Sequence, residues 1–151
     1  MLRASSGAHG VPYGTLRVRS NRESDRMEST LLDTAGRALF IGYFLIAGLC
    51  NLAAHQVRSH VDRMRELGTP LPAATFWIGL AIQFTGCALL LTERYAAIGA
   101  LCLIVFTIAA TAIFHRFWIF DDPARRNASR INLLNNTGVV AGLLLLLQNV
   151  R

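Results

Sequence analysis

The sequence predicts an all-α membrane protein, an up-down bundle of four transmembrane helices. The chain has 151 residues, of which 53% are hydrophobic and only 16% are charged, whereas soluble domains usually carry about 25% charged residues. Residues 71–120 contain only Glu93 and Arg94 as charges before His115 and Arg116. Each half of this stretch is apolar on all sides over about 20 residues, the length of helix that crosses a bilayer's hydrocarbon core. We therefore expect two spanning helices joined by a short turn.

The first 34 residues are polar, rich in arginine and serine, and without an apolar period. This composition predicts a disordered tail. The stretch has no acidic residue before Glu23, which makes it similar to an organelle transit peptide. An equally good interpretation is that translation starts at Met27, and the sequence leaves both interpretations open.

The first span is predicted at residues 35–53, with Thr34 as a candidate helix cap. Residues 55–70 form the first long loop. In this loop, apolar residues recur at helical spacing among charged ones; the apolar residues are Val57, Val61, Met64 and Leu67. This pattern predicts a short amphipathic helix at the membrane interface, ending at Gly68.

The other spans are predicted at residues 71–92, 96–117 and 131–150. The formal net charge is +6, and every basic residue is an arginine. Most of these arginines lie between the apolar runs, where they are expected to contact lipid headgroups rather than nucleic acid. The three cysteines lie inside apolar runs without a CxxC pair, so they are interpreted as small packing residues.

Up-down threading predicts where polar side chains meet. It brings the ends of spans one and three to the same membrane face as the starts of spans two and four. Polar groups at membrane depth point into the bundle, either to form interhelical hydrogen bonds or to line a small-molecule pocket or proton path. The candidate pocket residues are Gln83, His115, Trp118, Asn135 and Asn136. For His115, an interfacial position beside Trp118 and a ligand-binding or titrating role remain equally open.

The sequence predicts neither a metal site nor a catalytic residue. His55 and His60 are five residues apart and His115 lies on another helix, which matches no recognised ligand spacing. No nucleophile–base pair or cofactor motif was found either, so an enzymatic activity is left uncertain.

Several short motifs occur in the order found in the DoxX family of small four-helix membrane proteins, which this chain resembles from Ala35 to the C-terminus. The motifs are Ala47 to Leu52, Leu67 to Pro70, Gly86 before a leucine run, Phe114 to Trp118, and Asn136 with Gly138 and Gly142. The resemblance implies a multi-pass protein of the cell membrane, of the bacterial inner-membrane type. In some relatives it implies membership of membrane oxidoreductase assemblies, including a thiosulfate:quinone oxidoreductase.

The chain departs from the family pattern at two positions. An acidic residue often stands where this chain has Gln83, and a lysine where it has Asn135. These replacements remove a candidate intramembrane ion pair, so a charge-dependent role is not carried over from the relatives.

Three functional hypotheses follow. The first is a non-catalytic or accessory subunit of a membrane assembly. The second is a quinone-linked oxidoreductase subunit, in which His115, Trp118 and the asparagines hold the quinone head. The third is a small-solute or ion transporter, which would require a homo-oligomer. The expected partners are the lipid bilayer, membrane oxidoreductase subunits or further copies of the chain.

Overall fold

The computed structural model describes the backbone of residues 13–150 and the side chains of residues 21–150. Over these residues the fold is all-α. Its elements are α1 (Tyr13–Asn51), α2 (Ala54–Glu66), α3 (Pro72–Leu90), α4 (Ala96–Phe114), a 3-10 turn (Phe117–Ile119) and α5 (Pro123–Asn149). In the described part of the chain, four helical segments are long and apolar enough to cross a membrane: Asn21–Asn51, Pro72–Leu90, Ala96–Ile119 and Pro123–Asn149. The predicted fold class is confirmed.

Helix α1 starts much earlier than the sequence predicted. Residues 13–34 are helical where a disordered tail was expected, while residues 1–12 lie outside the described part. Helix-forming Arg, Glu, Met and Leu are frequent here. Several hydroxyls donate to carbonyl oxygens one turn back, for example Thr30 to Arg26 at 2.9 Å, a pattern compatible with a continuing helix. The described residues up to 35 and those from 36 onward form two compact units, and the site described below lies within the second.

Helix α5 begins at Pro123 rather than at residue 131. The carboxylate of Asp122 accepts a hydrogen bond from the Arg125 backbone N–H at 2.9 Å, which caps the helix. Pro123 stands at the first helical position, where its missing N–H costs nothing. The polar first two turns therefore belong to the helix, although they do not belong to the apolar run.

Helix α2 confirms the predicted amphipathic helix. Met64 is buried on its apolar face and packs in a cluster with Phe76 and Leu80 of α3. The connection after α2 turns at Gly68, whose φ of +73° is a conformation that glycine adopts without strain. The guanidinium of Arg116 donates to the Leu67 carbonyl at 2.8 Å, which ties this turn to the end of α4.

The main core of the second unit lies between α3, α4, α5 and the second half of α1, which contributes Ile41 and Phe44. Leu90, Leu103 and Leu143 are completely buried there. Helices α3 and α4 approach most closely near their short connection, where a Cβ added to Gly99 would lie 2.6 Å from the backbone nitrogen of Leu90. Small residues allow such backbone contact between membrane helices. The absence of a side chain at Gly99 thus allows the backbones of α3 and α4 to touch next to the turn that connects them.

Candidate functional site

The side chain of Gln83 lies fully buried in the middle of α3 and is only 1% exposed. Its amide nitrogen donates to the carbonyl oxygen of Phe44 in α1 at 2.7 Å. A backbone carbonyl can only accept, so this bond fixes which end of the amide is the nitrogen. The other end, Oε1, is a buried acceptor without a partner among the described residues.

An apolar groove of about 240 Å³ runs between α3 and α4 beside Gln83. Gly79 on α3 and Ala109 and Ala110 on α4 are among its lining residues, and their small side chains leave space at this surface. His60 and Met64 of α2 also line it. The groove therefore offers a mainly apolar surface with few polar groups.

A second, smaller cavity of about 80 Å³ adjoins the groove. The two share Asn51, Gln83, Phe106 and Ala110 in their walls. Gln83 therefore lies at the boundary between the two spaces. The smaller cavity also reaches Asn136 of α5, so two of the predicted pocket residues do line one cavity.

Asn136 takes part in a chain of hydrogen bonds between α5 and α4. Its side-chain nitrogen donates to the hydroxyl of Thr111 at 2.8 Å, and that hydroxyl donates to the Thr107 carbonyl at 2.6 Å. The Thr107 hydroxyl in turn donates to the Leu103 carbonyl at 2.7 Å. Asn136 thus forms the interhelical hydrogen bond that one of the two sequence-based interpretations expected.

His115 lines a different space, a polar cavity of about 590 Å³ between α2, the end of α4 and the start of α5. The charged and polar side chains that share its wall are Ser59, Asp62, Arg63, Glu66, Arg125, Ser129 and Asn132. His115 follows the last residue of α4, so the chain has already left the helix at this point. The structure therefore separates His115 from Gln83 and Asn136.

Trp118 and Asn135 line none of these three spaces. Trp118 is 61% exposed, and its ring contacts only that of Phe117 among the aromatic pairs of the described residues. Asn135 is exposed although Asn136 is not, because successive residues on an α-helix point about 100° apart. The single pocket expected from the sequence is thus divided into an intramembrane part and a polar part at the loop end.

Among the groove residues that were not in the predicted pocket, Asn51 and His60 carry polar side chains. Asn51 ends α1 at the membrane face where the sequence placed the polar groups, so its position was a usable signal. His60 lies on the apolar side of α2, where it packs against the rings of Phe76 and Phe114 at 5.8 and 5.6 Å. Among the side chains of residues 21–150, no group of three His, Cys, Asp or Glu is placed to hold a metal ion.

The stability of the protein is expected to decrease as the pH falls through the titration of His60. Burial first, and the positive charge of Arg63 second, hold the pKa of His60 below its ordinary value of 6.5. The unfolded chain then binds the proton more readily than the folded one, so stability is lost as the pH falls from about 7. The His60→Phe variant should show a weaker decrease between pH 7 and pH 5 in thermal unfolding. His55→Phe, at an exposed position of the same helix, is the control and should behave as the wild type does.

The DoxX family profile matches residues 32–116, more than half of the chain. The matched region contains α2, α3, α4 and the apolar part of α1, and it therefore includes Gln83, His60 and His115. Searches of curated proteins and of solved structures return no significant match. Together with the four apolar helices, the match identifies the chain as a multi-pass membrane protein that belongs to the DoxX family.

Proposed function

We propose that this protein is a non-catalytic subunit of a membrane assembly that holds a small lipid-soluble molecule in the groove between α3 and α4. The observation that carries the proposal is the groove itself. Its walls are almost entirely apolar, and its few polar side chains include no nucleophile beside a base: the Thr75 hydroxyl donates to the Pro70 carbonyl at 2.9 Å, and His60 packs against the rings of Phe76 and Phe114. Such a site is suited to binding rather than to bond making.

The size of the groove limits the ligand. An engineered protein cavity of about 150 Å³ binds benzene, so a groove of about 240 Å³ accommodates one substituted ring. Binding would draw on the apolar area that the ring buries, at about 25 cal/mol per Å². The ligand class is therefore a single-ring or similarly compact apolar molecule that partitions into the bilayer.

The second candidate function is a subunit of a quinone-linked oxidoreductase in the bacterial inner membrane. A ring-sized apolar groove with one buried amide supports it, since a quinone head is a substituted ring with polar oxygens. His115 and Trp118, which the sequence put forward for holding the head, do not line the groove. Gln83 and Asn51 take over that proposed role, and the partners would be the other subunits of the oxidoreductase.

A groove-filling variant tests the proposed binding. A Cβ on Gly79 would have only ordinary contacts, 3.7 Å to the Phe106 ring, so Gly79→Leu is chosen to fill the groove. Gly138→Leu is the matched control, because Gly138 is exposed on α5 with no atom near its Cβ position. Full-length protein is purified from its native membrane in mild detergent, and bound small molecules and proteins are identified by mass spectrometry.

We expect the wild type and Gly138→Leu to retain the same apolar compound. Gly79→Leu should retain about one tenth as much, which corresponds to a binding free energy weaker by about 1.4 kcal/mol. Equal amounts in all three samples would contradict binding in the groove. Purification without any partner protein would argue against a subunit role, and turnover of a substrate by the isolated chain would overturn the non-catalytic assignment.

A further inference from the structure

The hydrogen-bonding polarity of Gln83 restricts what can bind beside it. A glutamine amide has two donor hydrogens on nitrogen and one acceptor oxygen. Here one hydrogen of the nitrogen is donated to the Phe44 carbonyl, and the oxygen is the atom that lacks a partner. A buried acceptor that has lost water and gained nothing in return raises the free energy of the folded state. The missing partner must be a donor.

Several donors in the walls of these spaces are used elsewhere, and none of the described residues donates to Oε1 of Gln83. In the small cavity that adjoins Gln83, the Thr107 hydroxyl donates to Leu103, and the Asn136 amide donates to Thr111. In the groove, the Thr75 hydroxyl donates to Pro70. The Asn51 amide and the His60 imidazole also line the groove, but neither donates to Oε1 of Gln83 in the structure. A donor carried by a molecule in these spaces would therefore supply the missing partner.

We propose that the groove selects ligands whose ring carries a hydroxyl group, a phenol or a quinol, over ligands of the same shape that only accept hydrogen bonds. This inference rests on the proposed binding function and adds the chemical class of the ligand. A hydroxyl donates to Oε1 of Gln83, while an ether or a quinone carbonyl would set oxygen against oxygen in an apolar surrounding. For a quinone-linked assembly, the preferred form would be the reduced one.

Two probes that differ only at the hydroxyl test the selectivity, thymol and thymol methyl ether. Each has one substituted ring, and methylation removes the donor while it keeps the ring and the oxygen. Binding to the detergent-purified full chain is measured by equilibrium dialysis with mass-spectrometric detection, so that affinities refer to the free probe. Binding that Gly79→Leu abolishes is counted as binding in the groove.

We expect thymol to bind the wild-type groove about tenfold more tightly than its methyl ether. In Gln83→Leu, which keeps a side chain of similar size without the acceptor, the two affinities should agree within about twofold. Equal affinities of the two probes for the wild type would overturn the inference, including the case in which a water molecule already satisfies Gln83.

The outcomes also separate this inference from the function on which it rests. If both probes bind the groove equally, the protein still binds apolar molecules, and only the selectivity is refuted. If neither probe shows binding that Gly79→Leu removes, the proposed groove binding itself fails for ring-sized ligands. Should Gln83→Leu not fold, the comparison of the two probes on the wild type alone remains decisive.

Discussion

Replacement of Gly99 by alanine is expected to destabilise the protein more than any other single methyl addition in the bundle. The new Cβ would lie 2.6 Å from the Leu90 nitrogen, 2.8 Å from the Gly86 oxygen and 3.0 Å from the Leu89 carbonyl carbon. All three are backbone atoms, so no side chain can rotate away and the two helices have to move apart. Overpacking usually costs about 1–3 kcal/mol, and we expect a value at the upper end of this range or above it.

The prediction for Gly99→Ala is checked by thermal unfolding in detergent, with Gly138→Ala as the control. Gly138 has open space around its Cβ position, and alanine is a better helix former than glycine by about 1 kcal/mol. The control should therefore equal or exceed the wild type in stability. A Gly99→Ala protein as stable as Gly138→Ala would show that α3 and α4 are not in backbone contact.

The second large effect is expected at Leu103, whose side chain is fully buried against Gly86 of the facing helix. A Cβ on Gly86 would lie 2.9 Å from Cγ and Cδ2 of Leu103. Leu103→Ala should leave a cavity and cost about 2–5 kcal/mol, as buried leucine truncations do in other cores. Leu101→Ala is the matched control on the same helix, since Leu101 is 47% exposed and should be affected little.

The contact between Leu103 and Gly86 further predicts that their substitutions are not additive. Gly86→Ala alone overpacks the interface, whereas in a protein that also carries Leu103→Ala the added methyl enters the space left by leucine. The double variant should therefore be more stable than the sum of the two single effects by about 1 kcal/mol, within the range of coupling seen for residues in contact. Strict additivity in the same unfolding assay would contradict the packing described for this pair.

The hydrogen bonding of Gln83 explains why an amide, rather than an acid, suits this position in the chain. Its nitrogen donates to the Phe44 carbonyl and so joins α3 to α1. A carboxylate at this position would only accept hydrogen bonds and could not make this bond. The amide thus provides an uncharged donor that links two helices.

The sequence was a reliable guide to which segments form helices where composition alone decides. Residues 72–90 and 96–114 are apolar on every side, and only a spanning helix satisfies the backbone of such a segment in lipid. The alternation of charged and apolar residues likewise predicted α2, and the glycine after it predicted where this helix ends. Polar helix starts were missed, because the first turns of α5 are defined by the cap at Asp122 and not by an apolar run.

Only the tertiary structure decided how each helix is rotated about its axis. An amphipathic helix reveals its buried face through periodicity, but α3 and α4 have none, so the sequence could propose Gln83 for a pocket but not which helices it contacts there. In the same way Asn136 faces α4 while Asn135 is exposed, and Gly142 contacts Phe40 while Gly138 contacts nothing. In a spanning helix the composition is set by lipid on all sides, whereas the rotation is set by a few close contacts between helices.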